Sequence, residues 1–231
     1  IPYWPLLEKS RTPEEFVYDD AYVGHIVEAI NAFNSRGIYV VLNIHMWRSE
    51  YGMSGLRNFL PMNGLYFADD WFTDTGPTSA REHLKNLWLM LSNKLRNTTG
   101  VIYDILNEPI HSGALGLEEV QEHWWSMLDY VISHIRANLD NHLILAEFVP
   151  YPDSAKFMSR KLQDPNVAYS PHVYMGIDLS TMTVINNQLD WLRNEFGTGE
   201  LYVSTRMAQF DAPFVVGEMG GWLKVGPATP E

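Results

Sequence analysis

The chain contains no cysteine, which excludes a disulfide framework, a thiolate zinc site and a thiol nucleophile, while leaving the compartment open. It is also short of positive charge: 16 lysines and arginines against 28 aspartates and glutamates give a formal net charge of −12. A field of that sign repels phosphate-bearing partners unless a local basic patch overrides it, and no such patch is present. Nucleic acid and anionic membrane surfaces are therefore disfavoured as partners. No stretch approaches the roughly 18 consecutive apolar residues that a bilayer-spanning helix needs. Internal repeats, low-complexity tracts and linkers are lacking too. A neutral ligand suits what remains.

The 231 residues, 46% of them hydrophobic, suffice for one large domain with a single core. Short apolar runs alternate with longer segments of helical period, the pattern of a parallel sheet with crossover helices. Buried strands are expected over Ile38 to Ile44, Val101 to Leu106, Leu143 to Ala146, Val167 to Tyr169 and Phe214 to Val216, with a further stump at Ile1 to Tyr3. Asp20 to Arg36 carries Val23, Ile26, Val27, Ile30 and Phe33 on one face and stops at Gly37, predicting a helix. Ser79-Ala80-Arg81-Glu82 has the form of a capping box and opens a second. A third is expected from Glu118 to about Leu139, and weaker helical signals cover Ser154 to Leu162, Thr181 to Glu195 and Tyr202 to Gln209. Met46 to Thr78, rich in Gly, Asn, Asp and aromatics, reads as a long loop after a strand.

In a barrel of alternating strands and helices, the loops after the strands supply the functional groups. Here the strand ends are polar: His45 after the first full strand, Asn107 and Glu108 after the second, Glu147 after the third, His172 and Tyr174 at the fourth, Glu218 after the fifth. Two carboxylates facing across a cleft are what glycosidic cleavage requires, one to protonate the leaving oxygen and one to attack the anomeric carbon. Asn107 suits donation to a sugar hydroxyl, and His172 and Tyr174 suit orientation of the carboxylates. On pattern alone, Glu147 and Glu218 rank nearly equal as the partner of Glu108. Trp4, Trp47, Trp71 and Trp222 fall in loops just after strands and are candidates for sugar stacking. Trp88, Trp124, Trp125 and Trp191 lie in helical segments and are expected in the core. The alternative for His45 is a satisfied core histidine, and no closely spaced ligand set gives it a metal role.

Asn107-Glu108-Pro109 behind its apolar strand resembles the acid/base motif of glycoside hydrolase family 5, the cellulase family of the larger barrel-fold clan. Ile1-Pro2-Tyr3-Trp4 is similar to the family's second strand just after its arginine, and Gly37 to His45 to the third with its histidine. Pro171-His172-Val173-Tyr174 matches the His-x-Tyr motif of strand six, and Val216-Gly217-Glu218-Met219-Gly220 the nucleophile motif of strand seven. Each string is short, but five in order at strand ends form a specific pattern.

The resemblance implies a (β/α)8 TIM barrel, present in part: the first strand, the arginine ending the second, and the eighth strand with its platform tryptophan have no counterpart. Residues 1–231 are thus expected to form a single catalytic domain truncated at both ends. It further implies a secreted, monomeric, retaining endo-β-1,4-glucanase acting on β-glucan without cofactor or metal. Glu218 would be the nucleophile and Glu108 the general acid/base, with His45, Asn107, His172 and Tyr174 in support. A β-mannanase or another β-glycanase of the family is the close alternative. A silent carbohydrate-binding barrel and a metal-dependent hydrolase are the rivals from other classes.

Overall fold

The computed structural model describes residues 8–11, 16–44, 79–109, 116–149, 158–178, 183–187 and 203–224. Strands β1 (Glu8–Arg11) and β2 (Phe16–Tyr18) pair antiparallel. Helix α1 (Asp20–Asn34) follows, and then β3 (Val40–Asn43), α2 (Ala80–Leu95), β4 (Val101–Asp104), α3 (Leu117–Ala137) and β5 (Leu143–Glu147). After β6 (Val167–Ser170) come β7 (His172–Asp178), β8 (Thr183–Asn187), α4 (Val203–Phe210) and β9 (Glu218–Lys224).

Strands β3, β4, β5 and β6 form a parallel sheet in sequence order, as expected of one wall of a barrel. Pro171, which has no N–H to donate, separates β6 from β7, yet the ladder to the next strand runs on past it. Tyr169 bridges Phe214 in parallel, the Gly217 N–H donates to the Pro171 carbonyl, and β7 then pairs with β9 from His172 opposite Glu218 to Asp178 opposite Lys224.

The helices start where their side chains can satisfy free N–H groups. Asp19 accepts from the Tyr22 N–H at the head of α1, and Ser79 accepts from the Glu82 N–H at the head of α2. Gly37, at φ 74°, takes the left-handed conformation just beyond α1. Inside, α2 and α3 bury Leu84, Leu87, Leu91, Val120, Leu128 and Ile132 against the sheet. Three tryptophans are fully buried there, and each indole N–H reaches a carbonyl: Trp88 donates to Ile105, Trp124 to Glu147 and Trp125 to Arg160. Trp88 and Trp124 thereby pin the backbone at the C-terminal ends of β4 and β5. Trp191 lies outside the described residues.

At the opposite end of the same strands, Asp140 is fully buried and completely engaged. One of its oxygens accepts from Ser92 (2.7 Å) and Tyr103 (2.9 Å), and the other from the His142 backbone (3.1 Å) and ring (2.6 Å). The second ring nitrogen of His142 meets the Thr98 carbonyl at 2.6 Å. Both partners of the ring only accept, so the imidazole must carry two protons to satisfy them. Its pKa is raised accordingly, chiefly by Asp140. Burial pushes the Asp140 carboxyl up, but its hydrogen bonds, His142 first, outweigh that and hold it below the usual carboxylate value.

Three expectations are corrected. Thr183–Asn187 is a strand paired antiparallel with β7, not the start of a helix. Thr183, Val184 and Ile185 are β-branched, and an available edge of β7 decides their state. Residues 158–162, the described end of the expected 154–162 helix, are irregular: the Leu162 N–H goes to the Tyr169 hydroxyl instead of a carbonyl one turn back. Ile38, Tyr39 and Val41 are exposed, because β3 is the edge of the described sheet. Among the described residues no helix is long and apolar enough to cross a membrane.

Candidate active site

The C-terminal ends of the parallel strands gather the polar residues that the apolar runs deliver. Asn107 and Glu108 follow β4. The Ile44 N–H donates to the Asp104 carbonyl and the Asn107 N–H to the Ile44 carbonyl, which carries the β3–β4 pairing up to the site. Glu147 ends β5, His172 opens β7, and Glu218 opens β9 directly opposite His172.

His172 is the hub. Its Nδ1 lies 3.1 Å from Glu108 Oε1 and 3.6 Å from Glu218 Oε2, and its Nε2 lies 3.3 Å from Glu147 Oε1. The Glu108 contact is an aligned hydrogen bond. The Glu147 contact is close enough for an ion pair but lies off the line of a hydrogen bond. Burial pushes the imidazole toward neutrality, but Glu108, then Glu147 and Glu218, more than offset this and bring its pKa up to about 10. The ring is an imidazolium at neutral pH.

Glu108 and Glu218 converge on that ring from different strands. One carboxylate oxygen of each and a His172 ring nitrogen all lie within 4.8 Å of one another. The Glu108 side chain is 16% exposed and that of Glu218 35%, so both open toward solvent from the rim. As a cation site, this set would need His172 as a neutral ligand, whereas its three carboxylate neighbours favour the protonated ring.

Glu147, by contrast, is 3% exposed. Its Oε2 accepts the Glu108 backbone N–H at 2.6 Å. Beneath it, the buried Asp104 carboxyl is hydrogen-bonded both to the Asn43 side chain and to Glu147. Burial, then the charge of Glu147, pushes Asp104 well above the carboxylate range, and burial raises Glu147 as well. In the hydrogen bond between them, Asp104 is the side favoured to hold the proton and Glu147 the side favoured to accept. Glu108 itself stands at φ 43°, a left-handed backbone that a non-glycine residue adopts at a cost of about 1–3 kcal/mol.

Asn107 is 2% exposed, and among the described residues neither its Oδ1 nor its Nδ2 has a partner. A buried amide without partners is costly, so both atoms are set up for a ligand's polar groups. Gly217 permits the close approach of the last strand: a Cβ there would lie 2.1 Å from Ser170 Oγ and 3.1 Å from His172 Nε2.

The structure thus brings together Glu108, Glu218, Asn107 and His172. Tyr174 is placed by its backbone within β7, opposite Gly220. The expected loop position of Trp222 is corrected: the residue lies inside β9, opposite Gly176, because β9 runs on along β7. His45, Trp4, Trp47 and Trp71, with the whole Met46 to Thr78 segment, lie outside the described residues. Two contributors were missed in the sequence, Asp104 and Ser170. A carboxylate in the middle of the apolar run Ile102 to Leu106 was the available signal for the first.

Known proteins resemble this chain in sequence and in fold. The chain is 28% identical over 131 residues to Endoglucanase A of Evansella cellulosilytica, which covers 55% of this chain but 25% of that protein. Thermotoga maritima Cel5A, solved in complex with cellobiose as a mutant form, superposes with a TM-score of 0.65 at 16% identity over 95% of this chain and 65% of that one. Endo-glycoceramidase II from Rhodococcus sp. superposes with a TM-score of 0.59 at 20% identity, over 74% of this chain and 46% of that one. The chain therefore spans a quarter of its curated relative and between about half and two thirds of these structures. The shared fold is the (β/α)8 barrel, of which the described strands and helices form part. The model of the family described as Cellulase (glycosyl hydrolase family 5) matches residues 3–230, and the chain belongs to that family.

Proposed function

We propose that this chain is the catalytic domain, in part, of a secreted, monomeric, retaining endo-β-1,4-glucanase. The observation that carries the reading is the convergence of Glu108 and Glu218, borne by different strands, within 4.8 Å across one histidine. Inverting enzymes need room for a water and place their carboxyls about 6.5–9.5 Å apart, whereas direct attack needs about 5–5.5 Å. In the first step Glu218 attacks the anomeric carbon while Glu108 protonates the departing oxygen, leaving a glycosyl-enzyme ester on Glu218. In the second, Glu108 takes a proton from water, which displaces Glu218 and releases the sugar with its anomeric configuration retained. Asn107 binds a sugar hydroxyl, with Tyr174 and His45 in support, and Trp4, Trp47, Trp71 and Trp222 are the stacking candidates. The net charge of −12 fits a neutral polysaccharide better than nucleic acid or a membrane surface. No step in this scheme calls for a metal or cofactor.

The test uses the full-length protein. A 2-fluoro cellobioside should add one glycosyl unit to the Glu218 peptide in a mass spectrum, and product configuration followed by NMR should be retained. Rates on carboxymethyl cellulose, mannan and xylan decide the substrate, with cellulose expected fastest; faster mannan cleavage would move the chain to the mannanase reading. An inverted product, or no label on Glu218, would sink the mechanism.

A further inference from the structure

Glu147 matches no part of the family resemblance, yet it touches more of the site than any other buried carboxylate. It cannot be a nucleophile where it stands: it is 3% exposed, and its Oε2 is occupied by the Glu108 backbone N–H at 2.6 Å. Its other oxygen lies 3.3 Å from His172 Nε2, on the far side of the ring from Glu108 and Glu218. Glu108 adopts its left-handed backbone, φ 43°, at the residue whose N–H Glu147 holds.

We propose that Glu147 is a positioning residue: one oxygen fixes the left-handed turn that aims the Glu108 carboxyl, and the other anchors His172 between Glu108 and Glu218. This rests on the glycosidase reading above and adds a third carboxylate that never meets the sugar. A strained conformation persists only where its surroundings over-determine it, and a charge-assisted acceptor on the strained N–H is such a restraint. The ion pair to Nε2 fixes the ring's orientation, as a carboxylate does behind a metal-bound or catalytic histidine. Asp104 completes the device. As the favoured donor in its hydrogen bond to Glu147, it supports Glu147 as the anion that the ion pair to His172 needs. The titratable groups facing Glu147 are thus Asp104 from β4, His172 from β7, and Glu108 and Glu218 at the rim.

In the full-length protein, Glu147→Gln should lower kcat ten- to a hundredfold with KM changed less than threefold. The titration midpoint of the His172 ring, followed by NMR of its imidazole nitrogens, should fall by at least one pH unit. Glu108→Gln and Glu218→Gln, run alongside, separate the two ideas. If both abolish hydrolysis while Glu147→Gln keeps the parent kcat and His172 midpoint, the positioning role is overturned and the glycosidase reading stands. If either retains full activity, the reading beneath it fails. Should Glu147→Gln not fold, Asp104 carries the same test. Asn at 104 can still donate to Glu147 and Ala cannot, so Asp104→Asn should be at least tenfold faster than Asp104→Ala, and equal rates would overturn the proposal.

Discussion

At the N-terminal ends of β4 and β5, His142 and Asp140 form a histidine–carboxylate cluster in which both ring nitrogens and all the acceptor positions in view are used. At the C-terminal ends of the same strands, His172 sits among Glu108, Glu147 and Glu218. There Asn107, Ser170 and one oxygen each of Asp104 and Glu147 lack aligned partners among the described residues, and Glu108 holds a strained backbone. The two clusters share a sheet and a residue vocabulary. They differ in what has been left unfinished. Groups already satisfied by the protein serve stability, whereas groups held without partners keep their bonding capacity for a ligand and for changing charge.

That contrast can be broken by substitutions at either end. The largest effect is expected from Glu218→Gln, which should cut kcat by about 10³-fold or more while leaving the melting temperature within a degree or two. A fall in stability of the same rank would erase the distinction between the ends. At the other pole, Asp140→Ala strands His142⁺, Ser92 and Tyr103 together, and should cost about 3–5 kcal/mol in denaturant melts, with the folded fraction keeping its specific activity. Gly217→Ala tests the tight approach at the active end. It should reduce kcat by roughly 10–100-fold, and adding Ser170→Ala, which removes the atom only 2.1 Å from the new methyl, should recover much of that loss in a double-mutant cycle. Asn107→Leu should separate the two properties in one residue. Removing an unpartnered buried amide should raise stability by about 1 kcal/mol, yet lower kcat/KM by about a hundredfold.

The smallest effect is in the pH dependence of stability. His142 is held above its ordinary 6.5, so its contribution is complete below pH 6.5 and fades as pH climbs through the raised folded value. Asp140 is held below 3.8, so its contribution is complete above pH 3.8 and fades as pH falls through the lowered value. His172 adds a loss of the same sign as His142 near pH 10. Melts between pH 3 and 10 should therefore plateau from about 4 to 6.5, and His142→Gln should flatten the first part of the alkaline decline.

Much of this was legible in the sequence where a residue's neighbours along the chain settle its state. The period of Val23, Ile26 and Ile30 fixed α1, the serine at 79 fixed the start of α2, and the apolar runs ending in His or Glu announced the sheet and its functional rim. Glu147 was visible too, though not its purpose, since the contact that defines it is to a backbone N–H 39 residues away. The hairpin of β7 and β8 is hidden in the sequence, because the β-branched run Thr183 to Ile185 takes its state from pairing with the free edge of β7 just before it and not from a period of its own. Asp104 shows the same limit from within a strand. Its identity was plain, but its upward pKa shift comes from burial and then from Glu147 on the neighbouring strand.

Trp124 donates its indole N–H to the main-chain carbonyl of residue 147, not to the side chain above it. Footing and function at this strand end are therefore separable: the backbone stays moored whichever amino acid occupies position 147. A change of side chain there retunes aim and charge at the cleft while that one mooring bond is kept.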